Sequence, residues 1–460
     1  MMIKAIAPIL RRNKTRFGVH YSKNFKLAYP VMISQLGHTL VGLSDSLIMG
    51  RKGAISLAAV ALANAVFTLI LIIGIGIAYG LTPLIAQNSF DSNTQKCANL
   101  LKNSLLVNLI TGILLLGTSL LAVKFLDRFG QAPVVVEQAR IFLVFLSFSI
   151  VPLMFFLGFK QFAEGLGFTK QAMVISIAGN LFNITLGIIL VFGLFGIHPM
   201  GIWGIGISTF TDRFLMSIAM GTFVLGSRHF KKYQLDFKNS SFSWKLVRNL
   251  SAIGIPVAMQ YVFEVSAFTG AAIMIGWISP DALAAHQIAI SLAGITYMMA
   301  SGLSAAATIH SGNYFGAKQF TELKNSALGS YHMVIFFMLF WTLVFFAFRN
   351  ILPLLYIKDP IVISLASSLI LVAGFFQLFD GLQVVGLGIL RGMSDVKVPT
   401  LFTFISYWVV GLPSGYAINL IFHLGAVGIW IGLCLGLITA SVLILLRFYT
   451  KLRGFEFNFN

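Results

Sequence analysis

The chain has 460 residues, 58% of them hydrophobic and only 10% charged, with a net charge of +18. Soluble domains carry roughly a quarter charged residues, and no soluble fold hides this much apolar surface, so the composition excludes a water-soluble globular protein and makes the bilayer the solvent. The two cysteines, Cys97 and Cys434, lie far apart and outside any metal-type spacing, so they say little about redox compartment.

In chain order, a basic arm (residues 1–24) comes first. It lacks the compact apolar core and small-residue cleavage site of a removable signal peptide. Apolar windows then recur about twelve times, centred near residues 38, 72, 112, 150, 184, 213, 264, 298, 338, 376, 410 and 437. A helix crosses the hydrocarbon in about 20 residues. The longest stretch free of Asp, Glu, Lys and Arg (residues 398–446) must therefore hold a hairpin of two spans. Pro30, Pro83, Pro152, Pro256 and Pro413 are expected to interrupt spans, and Gly74, Gly76 and Gly80 thin one face of the second. Small residues of this kind serve close helix packing, and prolines supply kinks, fixed or moving.

An even number of spans puts both termini on one side. Segments that would face outward hold only Arg51, Lys52, Lys124, Arg128, Arg140, Arg349 and Lys358, and Arg213 lies within a span; the remainder of the 32 basic residues would be cytoplasmic. That bias follows the positive-inside rule. The net charge is thus a topology and lipid-surface signal, and nucleic acid is not an expected partner.

The sequence repeats. At an offset of 226, Pro30 meets Pro256, Gly50 meets Gly276, Gly76 meets Gly302, and Leu57-Ala58-Ala59 meets Leu283-Ala284-Ala285. At 227, Gly165 meets Gly392, Lys170 meets Lys397, and Gly201-Ile202-Trp203 meets Gly428-Ile429-Trp430. Two copies of six spans share one orientation, a plan that transporters use for alternating access around a central cavity. The expected domains are an N-terminal arm (1–24), an N-lobe (25–227), a basic cytoplasmic linker (228–248) and a C-lobe with a short tail (249–460). The fold class is an all-α membrane protein of two pseudo-symmetric six-helix lobes.

Four acids fall inside spans: Asp45, Asp212, Glu264 and Asp380. A charge at mid-bilayer costs about 2.5–3.5 kcal/mol on insertion scales, so each needs a partner, a water cavity or a function. Asp212 has Arg213 beside it and reads as a structural pair. Asp45, near the outer end of the first span, fits solvation or function equally. Glu264 and Asp380 have long apolar flanks and no base within a turn or two, and their repeat mates are His38 and Leu153. Acids that merely supported shared architecture would tend to repeat, so here the functional reading leads. His38 and Asp45 lie seven apart, on nearly one helix face. Asn180 and Asn183 share a face of the fifth span, where amides either coordinate cations or join helices.

The stretch from Pro30 to Gly50 with Ser44-Asp45 and Met49-Gly50, then Ala284-Ala285-His286-Gln287, and above all Asp380-Gly381-Leu382-Gln383 followed by Leu390-Arg391-Gly392-Met393-Ser394-Asp395, Pro399, Tyr407-Trp408 and Gly411-Leu412-Pro413, resemble the multidrug and toxic compound extrusion (MATE) family, in particular its NorM-like bacterial branch. The resemblance runs from about residue 24 to residue 453. It implies a MATE-like fold in a bacterial inner membrane, with both termini cytoplasmic, and export of amphipathic organic cations in exchange for Na⁺ or H⁺. It assigns the coupling site to Glu264 and Asp380, with Na⁺ as one candidate ion there, and an N-lobe polar cluster to Asp45, Asn180 and Asn183. It departs from the family at Phe376 and Asn183, where some relatives carry tyrosine and aspartate.

The expected substrates are cationic drugs or metabolites. Their candidate surface is Gln35, Met259, Tyr261, Phe263, Phe268, Gln287, Tyr297 and Met298, aromatic and methionine groups suited to loose cation–π contact though equally at home in helix packing. Bending at Pro30 would respond to loading of Asp45. No cofactor is expected beyond the coupling ion, lipids surround the chain, and the expected working unit is a monomer. No His-Glu-x-x-His or Gly-x-Ser-x-Gly motif occurs, which disfavours an enzyme. The nearest alternative is a flippase of lipid-linked precursors from the wider superfamily. Such proteins need several bases for pyrophosphate, and Arg213 reads as the one base inside an apolar span. The topology is testable by single-cysteine labelling in cells: positions 52 and 281 should react with an impermeant reagent from outside and position 239 only from inside, and the reverse pattern would overturn it.

Overall fold

A bilayer offers backbone amides and carbonyls no partner, so spanning segments must satisfy them internally. In the computed structural model, which describes residues 2–89, 94–233 and 239–459, the chain does so with twelve long helices and, among those residues, no strand. They are α1 (Met2–Gly50), α2 (Ala54–Ser89), α3 (Thr94–Phe125), α4 (Pro133–Gly165), α5 (Thr169–Phe192), α6 (Ile202–Gly226), α7 (Trp244–Gly276), α8 (Pro280–Gly316), α9 (Phe320–Phe348), α10 (Pro360–Gly392), α11 (Lys397–Phe422) and α12 (Ala426–Phe459). Every expected span centre falls inside one of them. Ten are long and apolar enough to cross a membrane. The other two, α1 and α6, carry the polar groups that reduce apolarity, His38 and Asp45 in one and Asp212 and Arg213 in the other.

Local chemistry sets the helix ends. Pro133, Pro280 and Pro360 occupy first-turn positions, where a missing N–H costs nothing. Ser279 caps α8 by accepting from the Ala282 amide at 3.0 Å, and Asp359 caps α10 by accepting from Ile361 at 2.8 Å. Just past α4 the chain turns through a left-handed Gly167 at φ 87°, and the repeat position past α10 places Ser394 in the same region at φ 58°. The helix limits repeat as the sequence does: Gly50 and Gly276 end the first helix of each half, and Pro133–Gly165 is matched by Pro360–Gly392.

The prolines divide into two groups. Pro83 sits where α2 breaks, between Ala78 and Leu81, because its ring crowds the carbonyl four residues back at Tyr79. Pro413 follows a π-helical stretch in α11, Ile405–Gly411, which absorbs the same conflict. Pro30, Pro152 and Pro256, by contrast, lie inside unbroken helices, so the expected interruptions occur at two of the five prolines.

The chain forms two compact units, Ile33–Met259 and, separately, Met1–Met32 with Gln260–Asn460. These limits do not coincide with the lobe boundaries expected at 25–227 and 249–460. The reason is that α1 and α7 each contribute to both units. In the first unit, Gly76 and Gly80 of α2 lie so close to α7 that a Cβ at Gly76 would overlap Ala258 Cα, and one at Gly80 would come within 2.9 Å of the Gly254 nitrogen. In the second unit, the repeat mate Gly302 of α8 would place a Cβ 2.7 Å from the Met32 nitrogen of α1. Ala28 and Met32 join a core there with Ala300, Leu303 and Ala306. Asn24 donates to Ser330 Oγ at 2.9 Å, and His20 meets Glu322 at 3.1 Å. Each unit thus borrows half of the other repeat's first helix. The described end of the expected linker is held by α3: Ser243 N donates to Asn103 Oδ1 at 2.9 Å and Lys102 to the Ser240 carbonyl at 2.7 Å.

A close seam joins α11 to α12, where a Cβ on Gly432 would overlap Gly415 Cα. Such proximity replaces the hydrophobic effect, absent between helices in lipid, by dispersion and backbone contact. Gly432→Ala should destabilise the detergent-purified protein by about 1–3 kcal/mol through overpacking, read as a lowered Tm. Gly117→Ala, an exposed mid-helix position where nothing lies within 4 Å, should leave Tm unlowered or raise it slightly, because alanine is the better helix former.

Candidate functional site

In the second unit, helical spacing stacks functional groups one turn apart on two helices: Tyr261 and Glu264 on α7, Asp380 and Gln383 on α10. Glu264 and Asp380 are both buried and close enough for their charges to interact. Among the described residues neither forms a salt bridge with a lysine or arginine. Three tyrosines complete the setting: Tyr261, Tyr297 of α8 and Tyr407 of the π-helical stretch all feel the Glu264 charge. The Tyr407 hydroxyl donates to Gln383 Oε1 at 3.0 Å. Phe268, one turn beyond Glu264, packs against Phe376 at 5.8 Å and Tyr407 at 6.0 Å between ring centroids, so an apolar wall flanks the acids. Phe376, the position at which the chain departs from tyrosine-bearing relatives, is therefore a packing residue against Phe268 and Trp430.

The first unit builds a different polar cluster from α1, α5 and α6. Asp45, Asn180, Asn183 and Asp212 are all buried. The helices approach through glycine: a Cβ on Gly37 would lie 2.6 Å from Asn180 Nδ2, and one on Gly179 would lie 2.6 Å from Asp212 Oδ1. Asn183 Nδ2 donates to Thr209 Oγ1 at 3.4 Å. Asp45 Oδ1, Asp212 Oδ1, Asn183 Oδ1 and both amide atoms of Asn180 are buried without a partner among the described residues. Such atoms cost free energy unless a ligand, ion or proton meets them. The charges of Arg213 and Asp212 both reach Asp45. Arg213 itself donates to Ser149 Oγ of α4 at 2.7 Å and lies 4.8 Å over the Phe67 ring of α2. His38, the repeat mate of Glu264, is half-buried and within reach of the charges of Arg213 and Lys160.

The substrate candidates are divided. Tyr261, Phe263, Phe268, Tyr297 and Met298 belong to the second unit near its acids, half-buried. Phe263 is engaged by its carbonyl, which accepts from Trp408 Nε1 at 3.2 Å, and by a ring contact with Phe404. Gln287 of the same unit is exposed. Gln35 and Met259 belong to the first unit, where Gln35 donates to the Tyr79 hydroxyl at 3.1 Å and Met259 is exposed. Pro30 is buried in the second unit, three residues before α1 enters the first at Ile33.

The sequence reading of Arg213 as the one base inside an apolar span is corrected by two others. Lys160 of α4 is buried beside Glu164 at 3.8 Å and donates to Ser34 Oγ of α1 at 3.1 Å. Arg391 of α10 is buried and hydrogen-bonded to Tyr261. Both end apolar windows, so the sequence counts them among the cytoplasmic bases, yet both lie on helices. The repeat gives no warning of either, since Lys160 has the apolar mate Leu387 and Arg391 the acid Glu164.

Comparison with known proteins matches the MatE family model twice, at residues 30–189 and 256–417. The chain belongs to the MatE family. The two matches fall on the two halves of the internal repeat. Similar curated proteins include the multidrug resistance protein MdtK of Yersinia pseudotuberculosis serotype O:1b (strain IP 31758), 32% identical over 92% of this chain and 93% of the relative. MdtK of Yersinia enterocolitica serotype O:8 / biotype 1B (strain NCTC 13174 / 8081) is 31% identical over the same shares. Among solved structures, a MATE in the bent conformation superposes with a TM-score of 0.88 at 20% identity, covering 97% of this chain and 98% of the other. The eukaryotic MATE transporter AtDTX14 gives 0.86 at 18% identity, over 96% and 99%. At these identities the superpositions show the shared two-lobe fold.

In this MatE chain the Lys160–Glu164 pair makes a direct prediction. Removing one member of a buried pair leaves an uncompensated charge, at a cost of about 3–5 kcal/mol. Lys160→Met should therefore lower folded yield and Tm sharply, whereas Lys160→Met with Glu164→Gln should recover most of the loss.

Proposed function

We propose that the chain is a secondary active antiporter that exports amphipathic organic cations in exchange for Na⁺ or H⁺ by alternating access. The observation that carries this reading is the buried Glu264 and Asp380 pair, two interacting carboxylates without a basic ion-pair partner among the described residues, in a chain of the MatE family. Like charges sharing a low-dielectric site cannot both remain ionised at no cost. The pair is therefore driven to take up a proton, a metal cation or an organic cation. Ion and substrate compete for one negative field: arrival of either favours release of the other, and that competition is the coupling. The tyrosines and phenylalanines around the pair supply loosely directional cation–π surface, worth about 0.5–2 kcal/mol per contact, which suits a broad substrate range. The naming of the Yersinia relatives as multidrug resistance proteins supports the same reading.

In the first unit, Asp45, Asn180 and Asn183 form a second cation site, with Asp212 added to it. Their unpartnered oxygens suit a hard cation. Loading this site removes a buried charge from α1 and lets the helix repack about Pro30. The chain acts as a monomer with both termini cytoplasmic, in a bacterial inner membrane.

A second reading, transport of an anionic lipid-linked precursor, gains from the buried Lys160 and Arg391. It is weakened because Lys160 is paired with Glu164 and Arg391 is engaged by Tyr261.

The decisive experiment is flux of a tetraphenylphosphonium probe in proteoliposomes, with Na⁺ and pH gradients imposed separately. Glu264→Gln and Asp380→Asn should each abolish ion-driven flux, and the double variant should lose little more than either alone because the two act as a unit. Near wild-type flux in both single variants would overturn the coupling role. Absence of cation flux in the unmodified protein, with turnover of a lipid-linked pyrophosphate, would favour the second reading.

A further inference from the structure

Within the first unit, one base and two acids share a small volume in an unexpected arrangement. Arg213 is next to Asp212 in sequence, and its charge reaches both Asp212 and Asp45. Yet it forms a salt bridge with neither. Neighbours on a helix point about 100° apart, and here they diverge onto different partners. Asp212 lies against Gly179 of α5, and Arg213 donates to Ser149 of α4 while covering the Phe67 ring. Ser149 passes its own hydrogen to the Leu146 carbonyl at 2.6 Å, which leaves its oxygen free to accept from the guanidinium. One oxygen of each carboxylate, the whole Asn180 amide and the Asn183 oxygen meanwhile lack partners among the described residues. The guanidinium is therefore held away from acids that it could neutralise, by a hydroxyl and an aromatic face that bind it only moderately.

We propose that Arg213 is a resident counter-ion that exchanges with the transported cation: it moves onto Asp45 and Asp212 when no cation is bound and withdraws to Ser149 and Phe67 when one is. This rests on the reading of the Asp45 cluster as a cation site and deepens it. Arginine is charged at every working pH, so the two aspartates and Arg213 together carry one net negative charge, and a single monovalent cation neutralises the set. The other charged groups nearby do not alter that count. His38 feels Arg213 and Lys160, and Lys160 is paired with Glu164 and bonded to Ser34. The exchange also prevents an unbalanced pair of carboxylates from being stranded in the membrane between loading events.

The test uses the full-length protein in proteoliposomes. Tetraphenylphosphonium flux is driven by Na⁺ or pH gradients of increasing size, and the half-saturating activity of the driving ion is read. Arg213→Gln removes the competitor and should lower half-saturation about tenfold, as expected for deleting one nearby charge at partial exposure. Ser149→Ala and Phe67→Leu weaken the withdrawn position and should raise it severalfold. Shifts of opposite sign are the signature, because a purely structural Arg213 would impair all three variants alike. Shifts in one direction, or none, would overturn the proposal. If Arg213→Gln fails to insert, the two milder variants decide alone: raised half-saturation supports the exchange, and unchanged values overturn it. Asp45→Asn separates the two levels of inference. Loss of ion-driven flux there with no shift in the Arg213 series defeats the counter-ion role only, whereas retained flux defeats the cation site itself.

Discussion

Everything in this protein follows from a solvent that will not hydrogen-bond the backbone. Once the main chain is committed to helices, polar chemistry inside the membrane can come only from side chains on helix faces, or from the few places where the helical ladder is disturbed. Both sources are used. Glu264, Asp380, Asp45 and Asn180 project from regular helix faces. Tyr407 belongs to the π-helical stretch before Pro413, a distortion that turns a different set of side chains inward than a regular helix would.

The duplicated scaffold then carries unlike charges. His38 stands where Glu264 stands, Leu153 where Asp380 does, and Glu164 where Arg391 does. One unit gathers two carboxylates among tyrosines. The other gathers two carboxylates, two amides and a guanidinium. A symmetric frame with symmetric sites would bind one kind of ligand twice, whereas two unlike clusters can prefer different ligands. The geometry that makes this possible is shared and repeated: Gly76 against Ala258 in one unit, Gly302 against Met32 in the other.

Much of this was legible in the sequence, and the reasons differ by residue. Glu264 and Asp380 were visible because each interrupts a long apolar run, and Asn180 and Asn183 because their spacing puts them on one face. The helix count and the repeat came from patterns spanning hundreds of positions. Asp212 and Arg213, adjacent and so pointing in different directions, read as members of one polar network, and the packing of α4, α5 and α2 shows which partner each takes. Lys160 and Arg391 were hidden by position: a charge at the end of an apolar window looks the same whether it faces water or a neighbouring helix. The exchange of helix halves by α1 and α7 left no trace in periodicity, since which helix an apolar face meets is decided by shape.

That exchange bears on how the protein is made. Residues up to Met32 leave the ribosome first, but their packing partners, Gly302, Leu303 and Ala306, are synthesised some 270 residues later. The first unit likewise waits for Gly254 and Ala258, which come after the six helices of its own repeat. Neither repeat can complete its core during its own translation. The start of α1 must remain unpacked, with its apolar face in contact with lipid or insertion machinery, until the second half emerges. A gene cut at the repeat boundary would therefore yield two fragments that each lack part of their interior. Duplication produced the symmetry, and the division of α1 and α7 between the units ties the completion of each core to both copies.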